Sequence, residues 1–142
     1  MALTFDDALT AVIARLTAAS LTKARSPLGV RNESAPRIDR SFSVVPVGVN
    51  PPTQRGRERH RAAYRFRVEL AHAIKPSDGL EAPDQALKDW TTAIKYLSAP
   101  ATTLTTEGAI DIGSTSYTYA GGGAFLVASF ELTVSTDLPL AI

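Results

Sequence analysis

The sequence has no cysteine, one methionine, one tryptophan and only two histidines in 142 residues. Without cysteine there is no disulfide framework and no thiolate metal site. His60 and His72 stand apart and form no HxxxH pair, which argues against a transition-metal centre. No run approaches the roughly 18 consecutive apolar residues of a membrane span. The amino terminus carries Asp6 and Asp7 where a secretory signal carries positive charge, so the expectation is a protein made and retained in the cytoplasm. No internal repeat, low-complexity segment, calcium loop or phosphate loop is present. What is present is 44% hydrophobic and 20% charged, the profile of one soluble globular domain over residues 1–142.

The net charge of +1 conceals a segregation along the chain. Residues 23–67 hold eleven bases (Lys23, Arg25, Arg31, Arg37, Arg40, Arg55, Arg57, Arg59, Arg61, Arg65, Arg67) against three acids (Glu33, Asp39, Glu58), a net of +8. Residues 68–142 hold three lysines and nine acids, a net of −6, and residues 1–22 contribute −1. Such a chain has two surfaces able to attract each other, or one able to attract an anion.

Thr4, with Asp7 three residues on, marks a helix start, and Phe5, Ala8, Leu9, Val12, Ile13 and Leu16 share one face of a helix over about Phe5 to Ala19. Residues 20–40 carry breakers and little periodicity, and read as a long basic loop. A valine-rich strand over about Ser41 to Val49 contains Pro46, which places it at an edge or at a bulge. A second irregular basic stretch, 50–61, leads into strict alternation: Ala62, Tyr64, Phe66, Val68 and Leu70 against Arg61, Ala63, Arg65, Arg67 and Glu69. Extended backbone continued back through the loop adds Arg55, Arg57 and Arg59 to that polar face, a ladder of up to six guanidiniums.

A turn at 75–80 (KPSDGL) precedes a second helix with Pro83 and Asp84 near its start, a stripe of Leu87, Trp90, Ile94 and Leu97, and a stop at Pro100. Trp90 is expected to be its largest buried side chain. Strands follow at about Leu104 to Ile112, Thr115 to Ala120, with Tyr117 and Tyr119 on one face, and Phe125 to Ser135; Gly121 to Gly123 make the intervening turn and Pro139 ends regular structure. Two helices and about five strands in this order imply an α+β domain with an antiparallel or mixed sheet.

Candidates for chemistry are few. The triple glycine is followed by a strand, not by the helix that an anion-binding loop needs, and reads as a hairpin turn. Asp78, Glu81, Asp84 and Asp89 lie around the start of the second helix, where acids suit the helix dipole. Strand parity puts His72 with Tyr64 to Leu70, near the edge of the core, and a hydrolase or transferase using it with one of those acids is the weakest reading. The arginine ladder is the outstanding feature. Its in-chain partners by local sequence, Glu58 and Glu69, are too few for six arginines, so an external anionic partner is expected, either nucleic acid phosphate or an acidic protein face. The arginine face lacks an aromatic platform, which argues against single-strand stacking recognition, and neither helix is basic, which argues against sequence-specific DNA reading.

The order of elements, with SFSVVPVGV, then FRVELAHAIKPSDGLEAPDQALKDWTTAIKYL, then YTYAGGGAFLVASFELTV, resembles the tail terminator (tail completion) proteins of long-tailed bacteriophages over residues 4–136. The resemblance implies an α+β virion subunit, assembled in the host cytoplasm, that forms a hexameric ring on the last ring of tail tube protein. Such a ring stops tube polymerisation and provides the joining surface for a head-tail connector or stopper protein. It implies no catalysis, no cofactor and no catalytic residue, and it allows non-specific contact with DNA in the channel. Other neck, connector or minor tail proteins, and a phosphate-backbone DNA-binding module built on Arg55 to Arg67, are the alternatives.

Overall fold

The computed structural model describes residues 4–23, 39–54, 59–74, 81–100, 102, 104, 108–120 and 124–139. Thr4 caps α1 (Phe5–Ala18), its hydroxyl accepting from the Asp7 N–H at 3.1 Å, and Asp6 and Asp7 face the positive end of the helix dipole. The expected stripe buries Ala8, Val12 and Leu16 completely. Ser20, at φ 67°, takes the left-handed conformation that ends the helix.

A two-residue strand, β1 (Thr22–Lys23), then runs parallel to the beginning of β2 (Ser41–Gln54). It lies inside the stretch read as a loop, because two residues are too few to show a period. β2 continues five residues past the expected end at Val49. It accommodates its prolines through register shifts between Pro46 and Gly48 and between Asn50 and Thr53. Only Ser41 and Phe42 pair with β1, so along the rest of its length β2 is the outer strand among the described residues. Pro46 therefore sits both at a bulge and at an edge, where a missing N–H disturbs no ladder.

β3 (Arg59–Ala73) pairs antiparallel with β2 on one side and with the whole of β6 (Phe125–Pro139) on the other. The far side of β6 is shared end to end by β4 (Ala109–Ile112) and β5 (Ser116–Ala120). The sheet order is β1-β2-β3-β6-β4, with β5 also on β6, and only β1:β2 is parallel. The fold is α+β with a mixed sheet, as expected. The alternation in β3 is realised: Ala62, Tyr64, Phe66, Val68 and Leu70 all face the helices and are buried, with Phe5 of α1 packed 5.6 Å from the Tyr64 ring and 5.2 Å from the Phe66 ring. The strand expected from Leu104 begins instead at Ala109, and Leu104 is a core residue.

The second helix, α2 (Glu81–Leu97), turns inward a face that keeps Leu97 of the expected stripe but is rotated away from Leu87. Ala82, Ala86, Asp89, Ala93 and Leu97 are buried, Trp90 and Ile94 flank them half-buried, and Leu87 is 52% exposed. The buried residue Asp89 is held from the sheet side, and the alanines let the helix approach closely enough for that contact. The turns expected at 75–80 and 121–123, Arg55, Arg57 and most of the basic loop lie outside the described residues. No helix among the described residues is long and apolar enough to cross a membrane.

Candidate functional site

Two charge systems are built on this frame. The first occupies the sheet face turned away from the helices. Arg61, Arg65 and Arg67 project there from β3 by strand alternation; of Arg59 the backbone register, opposite Pro139, is described. The ladder is interrupted by acids that the alternation of β3 alone could not reveal. Asp137, directly opposite Arg61 on β6, lies 3.4 Å from its guanidinium, and Glu131 lies 3.7 Å from Arg65. Arg67 meets Glu69 of its own strand at 3.4 Å. Gly48, opposite Arg65 on β2, leaves room for the guanidinium to lie across the strand; a Cβ there would come within 3.0 Å of Nη2.

Arg61, Arg65 and Arg67 therefore each have an acid of the same chain within reach, two more than the local sequence offered, so the shortage of local partners does not by itself call for an outside anion at these three positions. Asp137 and Glu131 come from the acidic second half of the chain, and the antiparallel β3:β6 pairing delivers them to the basic first half. The surface is one of alternating sign, and its bridges are half-exposed, which limits their contribution to stability. Further along the same face Glu69 is completely buried, with Ser43 and Ser129 beside it in register and Ala71 and Val127 packed nearby.

The second system lies on the helix side. Asp89 of α2 accepts from Arg40 twice, from Nε at 3.0 Å and Nη2 at 2.9 Å, and from Gln85 Nε2 at 2.9 Å. His72 Nε2 is 2.8 Å from Oδ2, the oxygen that also accepts from Arg40 Nε, and, opposite a carboxylate, is assigned as the protonated nitrogen. Burial pushes the Asp89 carboxyl up, but the hydrogen bonds from Arg40, His72 and Gln85 and the Arg40 charge outweigh it and hold the carboxyl below its ordinary value. The same contact pushes the Arg40 guanidinium up. Arg40 reaches this position with a left-handed backbone, φ 54°, and its neighbour Asp39 accepts from the Ala73 N–H at 2.8 Å.

Of the acids singled out in the sequence, Asp89 is brought to His72, while Asp78 lies outside the described residues. A histidine held by a carboxylate at this distance is the geometry of a general base. Here, though, His72 is 1% and Asp89 5% exposed, so neither presents an atom to a substrate at the surface. The cluster ties three elements together: the entry to β2, the end of β3, and α2. Arg40 and Asp39 had no local signal, since they fall at the end of a stretch without periodicity. Among the described residues no three histidine, aspartate or glutamate side chains converge as metal ligands. No protein-family model matches the chain, and no curated protein matches it.

A third feature is apolar. Val47 and Val49 on β2 are 41% and 51% exposed, and Tyr117 and Tyr119 on β5 are 47% and 69% exposed. Each pair sits on an opposite margin of the sheet.

Proposed function

We propose that the chain is a structural virion subunit of the tail terminator kind: a ring that caps a phage tail tube, stops its growth and offers the surface to which the head joins. The observation that carries this reading is where the reactive and the adhesive groups lie. The His72–Asp89 pair is sealed inside, while most of the large apolar side chains exposed among the described residues are on the sheet margins, where a contact with another chain would cover them. The order of elements, α1, hairpin, α2 and returning strands, supports the same reading. In this role the protein acts by assembly, without catalysis or cofactor, with further copies of itself, a tail tube protein and a connector or stopper protein as partners. The mixed-sign arginine face gives little support to a phosphate-backbone binder as its main role.

The test is the mass of the purified protein in solution, followed by electron microscopy after mixing with tail tube subunits. Rings, and tubes that end in an added disc and stop growing, are expected. A chain that stays monomeric and leaves tube growth unchanged overturns the reading.

A further inference from the structure

We draw no further inference here: the strongest candidate, the apolar patch of the open sheet margins, Val47 and Val49 on β2 and Tyr117 and Tyr119 on β5, carries nothing because no contact in the structure shows what covers it.

Discussion

Asp89 and His72 meet at 2.8 Å between α2 and the end of β3, both nearly inaccessible to solvent. The same carboxylate also takes both ends of the Arg40 fork, so one side chain fixes how α2 lies on the sheet and where the chain enters β2. Removing it strands a guanidinium and a buried imidazole at once.

Asp89→Ala is therefore expected to cost about 3 kcal/mol or more, the usual loss when one partner of a buried ionic network is deleted. Arg40→Ala, whose side chain is 46% exposed, should cost about 1 kcal/mol. Urea denaturation of the two variants beside the wild type measures both, and equal small losses would show that the network contributes little.

Stability should fall with acid through this group. The folded-state pKa of Asp89 is depressed, so its contribution is complete above the ordinary carboxylate value of about 4 and is lost as the pH falls through the lower, folded value. Urea midpoints followed downward from pH 5 should drop more steeply for the wild type than for Asp89→Asn. Parallel curves would refute the assignment.

Leu87 and Phe66 offer a contrast between stripe and core. Leu87, first in the apolar stripe of α2 yet 52% exposed, should tolerate alanine within about 0.5 kcal/mol. Phe66, fully buried against Phe5, should lose about 3–5 kcal/mol on replacement by alanine. Thermal melts of the two variants report the difference directly.

The acids on β6 mask the arginines of β3. A Glu131→Gln, Asp137→Asn double variant should bind duplex DNA more tightly than the wild type, with a steeper fall in affinity as salt rises. Fluorescence anisotropy across a salt series decides it; identical slopes would mean that the acids do not screen the face.

Much of the fold is legible along the chain because its signals are local. The Thr4 cap, the i, i+3, i+4 spacing of α1 and the alternation from Ala62 to Leu70 each need only neighbours a few residues away, and each is realised. Pro46 marks an outer strand for the same reason, since its missing N–H is a property of the residue itself. The tyrosines of β5 share a face as their alternation requires.

What only the tertiary structure decided concerns partners distant in sequence. Arg61 and Asp137, and Arg40 and Asp89, are 76 and 49 residues apart, and nothing in either local pattern names the other. Sequence by itself determined that the basic and acidic residues lie in different halves of the chain. The β3:β6 pairing and the docking of α2 decided that these charges answer each other within one molecule, because strand order, which no local period encodes, sets who stands opposite whom. The docking of α2 likewise decided that Asp89 lies inward and Leu87 outward, which the apolar spacing of the helix does not encode.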